Sequence, residues 1–155
     1  IPALSQTQIC DWLNEEAKTA PQVLVTDLHR LTAELRRINL GLCVMTNDAE
    51  TPARAHLASV QALDLFDFVI GSDSGFGAKP QAAPLLALTD KMEIPAAACV
   101  MVGDSTHDLR AGRAAGMRAV AVLTGLAEAD ELAPLADAVL PDVSHLPAWI
   151  SVQNS

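Results

Sequence analysis

Along residues 21–40, Leu24, Leu28, Leu31, Leu35 and Ile38 recur every three or four positions and line one helical face. The pattern predicts a helix from Pro21 to Leu40, closed by Gly41 just beyond its last turn. Leu42-Cys43-Val44-Met45 follows, short and apolar at every position, as in a strand buried on both faces of a parallel sheet. The unit then repeats. A helix is predicted over Thr51–Leu63, with Thr51 or Asp48 as N-cap and Pro52 in its first turn. Phe66–Ile70 reads as a strand, Gly71–Gly77 as a glycine-rich loop and Gln81–Lys91 as a helix. Ala98–Val102 reads as a strand, Thr106–Ala115 as a helix stopped by Gly116, and Arg118–Leu123 as a strand. A short helix over Glu128–Ala133 and a last strand over Ala138–Leu140 complete the series.

Strands alternating with helices in this way require right-handed crossovers and a mostly parallel sheet. The predicted fold is α/β: a three-layer α/β/α sandwich around a Rossmann-like sheet. Residues 1–20 break the rhythm. They read as polar helix or loop with Ile9, Trp12 and Leu13 as apolar contacts, an appendage to a core over 21–155.

Composition narrows the function. Half of the 155 residues are hydrophobic, enough for one sizeable core, and only 3 % are aromatic, so the helices are expected to pack closely. Ten Lys and Arg against 19 Asp and Glu leave a formal charge of −9, which repels phosphate backbones and argues against nucleic-acid or anionic-membrane partners. The longest apolar run, Ala96 to Val102, is far short of the roughly 20 residues a membrane helix needs. Cys10, Cys43 and Cys99 show no metal-type spacing and read as reduced thiols of a cytoplasmic protein.

In open parallel sheets ligands bind beyond the carboxyl ends of the strands, so those turns carry the candidate chemistry. One strand ends in Thr46-Asn47-Asp48, the loop after the next carries Asp73 and Lys79-Pro80, and the third ends in Gly103-Asp104-Ser105-Thr106-His107-Asp108. Hydroxyl, amide, ammonium and two carboxylates four residues apart suit a phosphate and a divalent cation. Thr46 and Asn47 are placed to donate to phosphate oxygens, Lys79 to supply a point charge, and Asp104 and Asp108 to provide the hard oxygens that Mg²⁺ takes. Each residue has a more ordinary role when taken alone. Asp108 in a first helical turn complements the helix dipole, Asp104 can cap a helix, and Lys79 before a proline can be solvated. Asp73 is read as a turn former, Gly75 and Gly77 as a turn aiming Lys79 inward, His107 as exposed, and Arg110 and Arg113 as partners in surface helical pairs.

Val44-Met45-Thr46-Asn47, Lys79-Pro80 and Val102 to Asp108 followed by Ala111 to Met117 resemble the second, third and fourth motifs of the haloacid dehalogenase superfamily, in its phosphoglycolate-phosphatase-like branch. The similarity runs from about Pro21 to Leu140. The resemblance implies that Thr46 and Asn47 bind the transferring phosphoryl group, that Lys79 stabilises it with the nucleophile, that Asp104 ligates Mg²⁺, and that Asp108 supports metal and lysine. It also implies a metal-dependent phosphatase acting on a small phosphorylated metabolite rather than a dehalogenase.

The family's first motif, Asp-x-Asp-Gly-Thr/Val, has no counterpart in this sequence. The nearest segment, Leu24 to Leu28, lacks the second Asp and the Gly, and the periodicity puts Asp27 on the surface of the first helix. The strand that carries this motif in the family is central, between those ending at Asn47 and Asp104, so the sheet is expected to be incomplete, with unpaired edges inside the core. Three accounts stand open: a fragment cut within a helical cap of which 1–20 is the remnant, a sheet completed by an N-terminal segment or a second chain, and a variant without chemistry. We favour the fragment, and expect the chain alone to be inactive while its parent acts through an aspartyl-phosphate. The alternatives are a non-catalytic interaction module and a phosphomutase of the same family. The sequence does not name the substrate or the cap type.

Overall fold

The computed structural model describes residues 26–153. The expected appendage over 1–20, with Ile9, Cys10, Trp12 and Leu13, lies outside the described residues, as do residues 21–25. Helix α1 (Leu28–Arg37) leads to β1 (Cys43–Met45), α2 (Glu50–Ser59), β2 (Phe68–Ile70), α3 (Ala83–Met92), β3 (Val100–Gly103), α4 (Thr106–Ala114), β4 (Arg118–Val122), α5 (Ala129–Leu132), β5 (Ala138–Leu140) and α6 (Leu146–Gln153).

Residue alternation along the strands assigns the layers. Val100, Val102 and Val120 point with Leu42 and Leu140 into a cluster with Leu31 and Leu35 of α1 and Leu146 and Ile150 of α6. Their neighbours Met101, Ala119 and Ala121 face the other way. Met101 joins Met45, Ile70, Leu85, Leu88, Ala111 and Met117, while Ala119 and Ala121 pack with Leu109 and Leu132. Helices therefore cover both faces, as the pattern predicts. Small residues draw α4 onto the sheet: a side chain at Gly112 would meet the Met101 Cβ at 2.6 Å. The closing helix α6 has no counterpart among the predicted elements.

Among the described residues all pairings are parallel, in two separate sheets. One pairs β1 with β2, in register Cys43 to Phe68; the other runs β3-β4-β5, in register Val100 to Arg118 and Val120 to Ala138. Among the described residues the second edges of β1 and β3 have no strand partner. One apolar cluster draws on both sheets, through Met45 and Ile70 of the first and Met101 of the second, and on the other face Leu42, just ahead of β1, joins Val100, Val102 and Val120.

Several element ends differ from the pattern-based expectation. Helix α1 begins at Leu28 rather than Pro21, because Asp27 is not mid-helix: it takes an extended conformation and accepts the Arg30 N–H at 3.1 Å as N-cap. Nor does Gly41 end this helix. Asn39 takes the left-handed turn (φ 63°), and the N–H groups of Asn39 and Leu40 return to the carbonyls of Arg36 and Leu35. Helix α2 starts at Glu50 and stops at Ser59, with neither Thr51 nor Asp48 as its cap. Asp73, from the loop after β2, accepts the Glu50 N–H at 2.8 Å. Gly116 (φ 79°) closes α4 as expected. Arg113 makes no pair along its own helix but reaches Asp137, 24 residues on, at 3.0 Å.

Candidate active site

The first turn, after β1, is built by hydrogen bonds that fold the chain back on itself. The Asp48 N–H donates to Thr46 Oγ1 at 3.1 Å, and the Thr46 hydroxyl donates to Asp48 Oδ2 at 3.3 Å. Thr46 is half-buried and Asn47 exposed. The Asn47 side chain turns across to the loop after β2: its Nδ2–H donates to the Lys79 carbonyl and its Oδ1 accepts the Lys79 N–H, both at 2.9 Å.

That loop is stapled to the start of α2. Besides the Asp73 contact, the Ser74 hydroxyl donates to Glu50 Oε2 at 2.5 Å and accepts the Gly71 N–H at 2.9 Å. This hydroxyl, and then the Arg54 guanidinium, hold the Glu50 carboxyl below the usual carboxylate range. Gly71 admits α2 at this point, since a Cβ there would strike the Glu50 N and Ala49 C atoms. Gly75 (φ 92°) and Gly77 (φ 86°) take left-handed turns ahead of Lys79, whose peptide bond to Pro80 is cis. The result is an inward lysine. Its ammonium donates to the Met45 carbonyl at 2.9 Å and pairs with Asp108 Oδ1 at 2.5 Å; the two side chains are only 10 % and 9 % exposed.

The third turn opens α4. Ser105 is its N-cap: Oγ accepts the Asp108 N–H at 3.3 Å, while Asp108 Oδ2 accepts from the Ser105 N–H and hydroxyl at 3.1 and 2.8 Å. This reciprocal capping box is legible as Ser105-x-x-Asp108, a signal that sequence reasoning passed over. It leaves both Asp108 oxygens engaged. Gly103 makes room for it, because a Cβ there would overlap the Asp108 Cβ and Cγ.

Asp104 contrasts with Asp108. Its carboxylate forms no hydrogen bond or ion pair among the described residues, and it lines an open cleft of about 490 Å³ with Ser105, Thr106, Gly125, Leu126, Ala127 and Glu131. Gly125 presses on it: a Cβ there would stand 2.7 Å from the Asp104 Cγ. No feature of the sequence had marked Gly125. His107 is exposed on the first turn of α4.

Of the two aspartates at this strand end, only Asp104 has a disengaged carboxylate among the described residues. No three acidic, His or Cys side chains gather among them. That donor set fits Mg²⁺, which commonly takes one or two protein carboxylates and fills its shell with water and phosphate oxygens. Asp104 fits as the ligand, while both Asp108 oxygens already accept from Lys79 and Ser105.

Comparison with known proteins adds to this geometry. The sequence model of the haloacid dehalogenase-like hydrolases matches residues 5–122. A phosphoglycolate phosphatase of Rhodospirillum rubrum is 37 % identical over 115 residues, covering 74 % of this chain and 47 % of the relative. One from Chromobacterium violaceum is 36 % identical over 112 residues, covering 72 % and 50 %. The chain thus spans about half the length of these curated relatives. Among solved structures, a predicted phosphoglycolate phosphatase from Haemophilus somnus superposes with a TM-score of 0.82 at 21 % identity, over 95 % of this chain and 68 % of its own. A haloacid dehalogenase-like protein from Agrobacterium tumefaciens gives 0.79 at 20 % identity, over 99 % and 72 %. These two share the fold.

Proposed function

This chain belongs to the haloacid dehalogenase-like hydrolase family, and we propose that it carries the phosphate clamp, lysine and metal-binding acid of a Mg²⁺-dependent phosphatase. The substrate is a small phosphorylated metabolite, phosphoglycolate-like, and the setting is the cytoplasm. The observation that carries this reading is the Lys79 ammonium, held between the Met45 carbonyl at the end of one sheet and Asp108 in the first turn of the helix that follows β3 of the other.

The chemistry follows from what each group can do. The Thr46 hydroxyl and the Asn47 main-chain N–H donate to non-bridging phosphoryl oxygens, and Lys79 offsets their charge. Asp108 keeps the ammonium in place. Asp104, with Asp108 beside it, would hold Mg²⁺, which would supply positive charge to offset that of the phosphoryl group. In the full-length parent a nucleophilic aspartate attacks phosphorus. An aspartate–phosphorus bond forms as the ester P–O bond breaks, the departing alkoxide takes a proton, and water then hydrolyses the aspartyl-phosphate.

The 155-residue chain alone is expected to release no phosphate from small phosphomonoesters in Mg²⁺, while its parent turns over. In the parent, Asp104→Asn lowers the rate by at least about 10²–10³-fold. Turnover by the chain alone, or near-normal Asp104→Asn rates at saturating Mg²⁺, contradicts the proposal.

The edges of β1 and β3 that carry no strand among the described residues favour a second feature, completion of the sheet by an N-terminal segment or by a second copy. Sedimentation over a range of concentrations separates the two: a constant monomer mass rules out the second copy.

A further inference from the structure

Thr46 and Asn47 are expected to donate to the phosphoryl group from side chain and backbone, and the Asn47 side-chain amide is turned toward Lys79. Its oxygen accepts the Lys79 N–H and its nitrogen donates to the Lys79 carbonyl, both at 2.9 Å and across 32 residues of chain. Two residues earlier on the same strand end, the Met45 carbonyl accepts from the Lys79 ammonium at 2.9 Å. One turn therefore grips the lysine at both ends, by its main chain and by its charge.

We propose that Asn47 is a positioning residue, whose side chain fixes where the Lys79 ammonium stands rather than contacting the phosphoryl group. The inference rests on the phosphate-binding reading above and refines it. A lysine carries a flexible four-carbon stem, and a charge is useful to a developing anion only when it already stands in the right place. With the backbone clamped by Asn47, the stem spans a fixed distance to Met45 and Asp108. Without the clamp, the loop from Gly75 to Lys79 is free to shift, and the ammonium shifts with it.

The test is a double-mutant cycle on the full 155-residue chain, with inorganic phosphate in Mg²⁺ as the probe and NMR as the readout. Asn47→Ala is expected to broaden or abolish the Lys79 ammonium signal and to weaken phosphate binding about tenfold. In the Lys79→Met background the same substitution costs nothing more, because the lysine it positions is gone. Thr46→Val, which removes a direct donor, still weakens binding in that background. Asn47→Ser, whose hydroxyl cannot span both Lys79 groups, replaces Asn47→Ala should that variant not fold. An unchanged Lys79 signal in the Asn47 variant overturns the inference, and so do losses that add in the double mutant. A wild-type chain that binds no phosphate instead sinks the phosphatase reading, and the Lys79 signal then judges the Asn47 clamp by itself.

Discussion

Asp67 and Asp137 each sit one residue before a strand, one in each sheet, and make the same bonds. The Asp67 N–H donates to the Leu42 carbonyl at 2.7 Å while its carboxylate accepts the Leu42 N–H at 2.8 Å; Asp137 does the same with Ala119, at the same two distances. An arginine from the last turn of the helix before the neighbouring strand, α1 for β1 and α4 for β4, completes each latch. Arg36 pairs with Asp67 at 2.9 Å and reaches the Leu65 carbonyl, and Arg113 pairs with Asp137 at 3.0 Å and reaches the Leu135 carbonyl. The carboxyl ends of the two sheets share no such device. One ends in the Thr46-Asn47 turn and the other in Asp104 with its capping box, and Lys79 spans between them. The strand starts are built alike and serve the fold. Under the proposed function, the strand ends differ because each contributes a different part of one site.

If that contrast is right, substitutions at the two ends have different signatures. The largest effect is expected from Asp108→Ala, which leaves a lysine that is 10 % exposed without its counter-charge. Removing one partner of a buried pair costs about 3–5 kcal/mol, readable as a lower urea midpoint; a loss below about 1 kcal/mol would place the pair among ordinary surface bridges. Asp137→Ala comes next. It strands the Ala119 N–H on a fully buried residue, at about 1–3 kcal/mol. Asp67→Ala costs less, since Leu42 is only half-buried. Equal losses at the two latches would refute burial as the cause. Neither latch variant is expected to alter phosphate binding.

Acid provides the mildest test. The Arg36 guanidinium, then the Leu42 N–H, hold the Asp67 carboxyl below its ordinary range; for Asp137 the Ala119 N–H leads and Arg113 follows. A carboxyl lowered in the folded state adds stability above its unfolded value that is lost as pH falls through the folded one. Denaturation midpoints should therefore fall on acidification below about pH 4, and less steeply when both aspartates are replaced by asparagine. Identical pH profiles with and without them would show that the latches carry no charge-dependent stability.

Much of this was legible in advance. The alternation of helices and strands, the order of the turns and the inward lysine follow from apolar spacing and glycine placement, which are local properties of the chain. The misplaced ends have a common cause. Asp27 and Asp73 begin helices with side chains that accept backbone N–H groups, and Asn39 closes one with a left-handed backbone; periodicity is blind to such local devices. In the candidate site, residue types pointed to these turns, but the contacts each side chain makes stayed hidden. That Asn47 faces Lys79, that Asp108 is fully engaged while Asp104 is not, and that Gly125 borders Asp104 depend on contacts across 20 to 30 or so positions of chain. A single sequence does not encode such contacts as a pattern.

The central claim is that three turns from two separate sheets form one pocket for a phosphoryl group and a cation. Titrating the ¹⁵N-labelled chain with inorganic phosphate in Mg²⁺ tests it most directly. The amides of Asn47, Lys79 and Asp104 should move together with one saturation curve, while those of Asp67 and Asp137 stay still. Shifts confined to one turn, or separate curves for the turns of the two sheets, would contradict the claim.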